Sequence, residues 1–208
     1  MNNNVGALVI KVAEMRVRRK LERTRAILGK YVKIYSDEQV RAVNVAKLHS
    51  TGLLELRIQS RDNTTKYDGD LTRFLGLISQ FIYIGKFGDT SLTKAKDTMW
   101  EQRDQLKAEI EYTDACVVDV YGNQVKAATG SQQGSLSDGA VAKSVDYVLA
   151  EDDDAYCAES NLWFLKSNHL TSDIHVLLNG APNEFAITKK CSAADYEYVL
   201  NKIRHFNR

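Results

Sequence analysis

The chain has 208 residues, with 28 Lys plus Arg against 27 Asp plus Glu and a formal net charge of +1. That length suits one large domain or two small ones and is ample for a buried core. At 44% hydrophobic and 26% charged residues, the composition excludes a disordered chain, a collagen-like repeat and a disulfide scaffold, and it argues against nucleic-acid binding through global charge.

Cys116, Cys157 and Cys191 are an odd set with no C-x-x-C pair, so neither a disulfide framework nor a zinc knuckle is indicated. Cys116 sits in an apolar run with Val117 and Val118 and reads as a small core residue. The stretch Val5 to Ile10 has no charged region before it and is interrupted by Lys11 and Glu14, which fits neither a signal peptide nor a membrane span. The expectation is a cytoplasmic protein without a membrane span.

Residues 5–28 read as one long helix. Ile10, Ala13, Val17, Leu21, Thr24 and Leu28 recur at three- or four-residue steps, and Gly29 offers a C-terminal stop. The period then changes. Tyr31 to Ser36, Val40 to Leu48 and Leu54 to Ile58 read as a three-strand meander, turned at Asp37-Glu38 and at His49 to Gly52. In the last of these, Leu54, Leu56 and Ile58 alternate with Glu55, Arg57 and Gln59.

Residues 61–69 form a polar loop. Asp70 is a natural cap for a helix from Leu71 to Ile84, whose face is Leu71, Phe74, Leu75, Ile78 and Ile82. Ser91 caps a second central helix, Leu92 to Glu111, inward through Ala95, Met99, Leu106 and Ile110. Strands Ala115 to Tyr121 and Gln124 to Thr129 flank a Gly122-Asn123 turn. Asp138 opens a helix ending in Glu151 to Asp154. Strands Leu162 to Lys166, Ile174 to Leu178 and Glu184 to Thr188 follow, the last two flanking a turn at Asn179 to Asn183, and Ser192 caps a final helix ending near Phe206.

The expected fold is therefore α+β: an N-terminal long helix, a three-strand meander, two central helices, and a C-terminal mixed sheet flanked by helices. Three segments are expected: a basic arm over 1–30, a small meander plus apolar helix over 31–90, and an α+β module over 91–208. Over residues 92–206 the order helix, two strands, helix, three strands, helix resembles that of the profilin-like group of folds, which includes roadblock and PAS-type modules. The resemblance implies a binding or dimerising module.

Charge is unevenly distributed. Residues 1–33 carry nine basic side chains against Glu14 and Glu22, and the rest of the chain is net −6. On a helix Arg16, Arg19, Lys20 and Arg23 share one face, while Arg18 and Arg25 lie on another. Such a row over residues 11–33 could touch nucleic acid, an anionic membrane surface or an acidic partner. It could equally be a solvated face, because residues 101–160 hold 13 acidic and 4 basic side chains, including the run Glu151, Asp152, Asp153 and Asp154. That acidic run lacks the glycine and the bidentate Glu of a calcium loop, so it reads as an interaction surface or a solvated turn and not as a metal site.

His169 and His175 have no third ligand in reach, so no zinc signature is present. Gly130-Ser131-Gln132-Gln133-Gly134 misplaces its serine for a nucleophile elbow, and neither a P-loop nor a dinucleotide fingerprint occurs. Trp100, Trp163 and ten tyrosines are candidates for partner contact or for the core. The expectation is a non-enzymatic structural subunit of a larger assembly, with a virion or phage head–tail component as the concrete case and no cofactor. The alternative is a nucleic-acid-associated protein that binds phosphates through its basic N-terminal segment.

Overall fold

The chain begins with strand, and no long N-terminal helix forms. A computed structural model describes residues 7–60, 67–130, 135–136, 139–178 and 183–208. They form an α+β protein with two antiparallel sheets and five α-helices among the described residues. Two compact units divide at Gly88 and Asp89.

In the first unit, β1 (Leu8–Ile27) and β2 (Lys30–Leu48) make one long antiparallel hairpin, and β3 (Leu54–Arg57) pairs with the last four residues of β2. The turn is the two residues Leu28 and Gly29, both with positive φ (49° and 73°). Two such residues match the right-handed twist of the flanking strands, which makes Ile27-Leu28-Gly29-Lys30 a hairpin turn where a helix stop was expected.

Asp37 and Glu38 do not turn the chain. They lie inside β2 opposite Arg19 and Arg18, so the two strands expected over 31–48 are one. Cross-strand opposite charges favour this pairing. Deleting residues 1–28, which a free helical arm would tolerate, would remove a strand of the unit's own sheet.

Helix α1 (Asp68–Ile78) lies against the root of the hairpin. Its buried Phe74 and Ile78 meet Ala46, with Ile10, Val12, Leu54 and Leu56 packed around them. Asp70 is not the cap expected of it. The N-cap residue is Tyr67, and the buried Asp70 carboxylate accepts from Arg73 Nη2 at 2.8 Å. The helix stops at Ile78, short of the expected Ile84, and a single 3₁₀ turn follows over Ile84–Lys86.

The second unit builds on α2 (Thr93–Glu101) and the short α3 (Arg103–Leu106). The expected helix to Glu111 breaks there, and Ile110 already starts β4 (Ile110–Val118). Next come β5 (Gln124–Ala128), α4 (Ala140–Glu151), β6 (Tyr156–Phe164), β7 (Ile174–Leu178), β8 (Ala186–Ile187) and α5 (Ala193–Phe206). The sheet order is β5-β4-β6-β7-β8 and every pair is antiparallel, which corrects the expected mixed sheet.

One core joins sheet and helices: Trp100, Tyr112, Val117, Val145, Leu162, Phe164, Ile174, Val176, Val199 and Ile203. Ser192 caps α5 as expected, in a reciprocal capping box with Asp195. Asp119 closes the Gly122-Asn123 hairpin by accepting from the N–H groups of Tyr121 and Asn123. The expected cap Asp138 and the turn residues 179–182 lie outside the described residues.

Candidate functional site

The basic residues that the sequence marks out lie on the hairpin, and its geometry regroups them. Directly opposed residues of an antiparallel pair point to the same side of the sheet. Near the root, one side holds Ile10, Val12, Glu14 and Arg16 opposite Ala46, Asn44, Ala42 and Val40, and this is the side that meets α1. The same side continues outward as Arg18 opposite Glu38 and Lys20 opposite Ser36.

Strict alternation would then place Glu22 and Thr24 on that side. The register shifts instead: Leu21 pairs with Tyr35, the next pair is Arg23 with Ile34, and Glu22 is left unopposed. A bulge of this kind re-aims the residues beyond it. Arg23 and Arg25 therefore join Arg18 and Lys20, and Lys30 follows opposite Ile27. The helical grouping of Arg16, Arg19, Lys20 and Arg23 does not form.

Two of the expected residues have other tasks. Arg16 lies at the root, where Nη1 donates to the Gln59 carbonyl at 2.8 Å and the guanidinium pairs with Glu14, close to Asp70. It is a part of the body. Arg19 points to the opposite side, 3.8 Å from Asp37 and over the Tyr35 ring at 5.7 Å. Lys20, Arg23, Arg25 and Lys30 have no anionic partner among the described residues.

Sequence reasoning missed the apolar side of the same arm. Beyond the root Met15, Val17, Leu21, Tyr31 and Tyr35 all point away from the basic row. They are exposed, Tyr31 to 82%, Val17 to 68% and Met15 to 62%, and Leu28 at the tip is 98% exposed. Val17 to Ile27 is 11 residues of strand, or about 36 Å at ~3.3 Å per residue. Residues 17–39 carry seven basic and three acidic side chains, a net +4. The Leu28-Gly29 pair just before the strand-like run Tyr31 to Tyr35 was the signal that could have revealed the hairpin.

The acidic segment belongs to the second unit. Glu151 ends α4, and Asp152 fastens two loops by accepting from the N–H groups of Val120 (2.8 Å) and Asp154 (3.0 Å). Glu151, Asp153 and Asp154 are exposed and pair with no cation among the described residues. No group of three or more His, Cys, Asp or Glu is placed to hold a metal ion among those residues.

The Cys157 thiol, in the interior of the second unit, is not an activated nucleophile. Cys157 is fully buried, which pushes its thiol pKa up and keeps it protonated. Its backbone N–H donates to Asp97 at 2.7 Å, and Lys96 donates to the Ala158 carbonyl, so both polar side chains bind α2 to β6. Trp100 is core: its ring N–H reaches Asp146 at 3.0 Å, and Arg103 covers its face. Trp163 lies on the other side of the sheet, stacked on His175 at 4.6 Å.

No helix among the described residues is long and apolar enough to cross a membrane. No family model, curated protein or solved structure matches this chain, so its function is read from the geometry alone.

Proposed function

We propose that this protein is a structural subunit that assembles with other protein subunits, in the first instance further copies of itself, by docking its β-ribbon arm. The observation that carries the reading is an arm of two strands with Met15, Val17, Leu21, Tyr31 and Tyr35 exposed along one side. A two-stranded ribbon is marginal in water on its own, and a row of exposed apolar side chains marks a surface that another chain covers. Tyrosine anchors flanked by charge are also typical of interface centres. A shell or tail built of repeated subunits, as in a virion or phage particle, is the setting such an arm suits.

The test is mass by light scattering at low and high salt, for the wild type and for Val17→Asp and Tyr31→Asp. The wild type is expected above the monomer mass, and both variants at it with an unchanged circular dichroism spectrum. A wild type that stays monomeric at every concentration refutes assembly with itself.

A further inference from the structure

The other side of the arm has a different character and carries an inference independent of the assembly reading. We infer that the basic row, Lys20, Arg23, Arg25 and Lys30 extended by Arg18, is a binding surface for the phosphate backbone of double-stranded DNA. Three features of the row support this.

The first is alignment. Only the unopposed Glu22 brings Arg23 and Arg25 to the side of Lys20; in a regular ladder they would face the opposite way. The acids on this side are Glu38, opposite Arg18, and Glu22, whose carboxylate accepts from the Ser36 hydroxyl at 2.6 Å. Neither forms an ion pair with Lys20, Arg23, Arg25 or Lys30, which leaves those four charges available.

The second is spacing. Alternate residues of a strand stand about 6.6 Å apart, and two nucleotides of one DNA strand rise about 6.8 Å. Arg18 to Lys20 and Arg23 to Arg25 keep that step along β1, with the bulge between Lys20 and Arg23 and Lys30 across on β2, so the β1 cations can follow a regular array of phosphates. The third is shape. The major groove of B-form DNA admits a two-stranded ribbon, and Val32 and Ile34, across from Arg25 and Arg23, supply an apolar strand beside the basic one.

Each neutralised phosphate releases counterions, so the proposal has a quantitative signature. Four contacts predict a slope of about −3.6 in log affinity against log salt, or roughly 150-fold weaker binding at ~200 mM than at ~50 mM salt. The experiment is fluorescence anisotropy of the full chain on a random-sequence DNA duplex. Lys20→Ala, Arg23→Ala and Arg25→Ala should each flatten the slope by about 0.9. Arg19→Ala and Lys33→Ala, on the opposite side, should leave it unchanged.

A second variant separates position from charge. Inserting one threonine between Ile34 and Tyr35 gives Glu22 a partner, makes the ladder regular, and turns Arg23, Arg25 and Lys30 away from Lys20 with every charge retained. Those three then share a side with Arg19, which Asp37 already pairs at 3.8 Å, so the available contacts fall from four to three and the slope should flatten by about 0.9. Absence of binding at low salt would overturn the proposal, as would slopes indifferent to these three substitutions. Equal affinity for polyglutamate or for phosphatidylserine–phosphatidylcholine vesicles, lost on the same substitutions, would reassign the row to an acidic protein or a lipid surface. Val17→Asp and Tyr31→Asp should leave duplex binding intact, so failure of the assembly reading and failure of this one give different results.

Discussion

Cutting the arm off should leave the body of the protein as stable as before. The perturbation is replacement of residues 18–38 by a four-residue Gly/Ser loop joining Val17 to Gln39. None of the removed residues is buried, and only Ile34 and Ser36 are even half-buried. The core of the first unit, made by Ala46, Phe74 and Ile78 with Ile10, Val12, Leu54 and Leu56, lies wholly outside the excised segment. The Arg16 contacts to Glu14 and Gln59 are retained as well.

Surface changes away from such features stay within about 0.5 kcal/mol, so the trimmed protein should unfold within that margin of the wild type. Phe74→Ala, by contrast, empties the centre of a small core and should cost about 3–5 kcal/mol. Urea unfolding followed by far-ultraviolet circular dichroism measures both. A trimmed protein that lost more than about 1 kcal/mol would show that the arm supports the body, and the separation of roles argued above would fail.

Other consequences are equally direct. The Tyr112 hydroxyl is fully buried with no hydrogen-bond partner among the described residues, while its ring meets Trp100 edge-on at 5.1 Å. Tyr112→Phe keeps the ring and removes the unpaired group, so the urea midpoint should rise by the equivalent of about 1 kcal/mol. A fall would mean that the hydroxyl is bonded after all. The Asp195 carboxyl is drawn down to about 2 by hydrogen bonds from Thr171 and Ser192. Its folded value lies below that of the unfolded chain, so its contribution is complete above about pH 4 and is lost as pH falls through about 2. Asp195→Asn should flatten the acid limb of stability against pH over that window. Burial holds His175 below the ordinary histidine value, partly offset by Asp114. Its imidazole resonance should titrate with a midpoint below about 6.5, and stability should fall as pH drops through that range. A midpoint at or above the ordinary value would contradict the packing of His175 against Trp163.

What the sequence showed depended on whether a core stood behind it. Leu54, Leu56 and Ile58 alternate because one side of β3 meets α1, and Ile174 to Leu178 is legible because β7 is a buried strand. Ser192 announces its helix because a cap acts locally. The arm fails for the same reason in reverse. Beyond Val17 both sides of the ribbon face water, so no burial enforces a period of two, and residues such as Arg, Lys and Glu carry helix propensity. The bulge at Glu22 then breaks what alternation remains. What did specify the hairpin was pairwise: Arg18 against Glu38, Arg19 against Asp37, and a turn with positive φ at Leu28 and Gly29. Such signals depend on a partner strand and are invisible to periodicity.

That same independence from the core bears on the proposal that the arm is a surface for binding. Ordering each backbone residue costs about 1–2 kcal/mol, and a segment of the body recovers that through burial. The arm recovers it only through ladder hydrogen bonds, its cross-strand pairs and whatever covers its exposed side chains. Glu22 and the Leu28-Gly29 turn therefore set a shape that the ladder and its cross-strand pairs hold without a core behind it. The ribbon holds Lys20, Arg23, Arg25 and Lys30 on one side, and Tyr31 and Tyr35 with Arg19 and Lys33 on the other. On the two proposals made above, a polyanion and a protein surface would take different sides, so neither would displace the other.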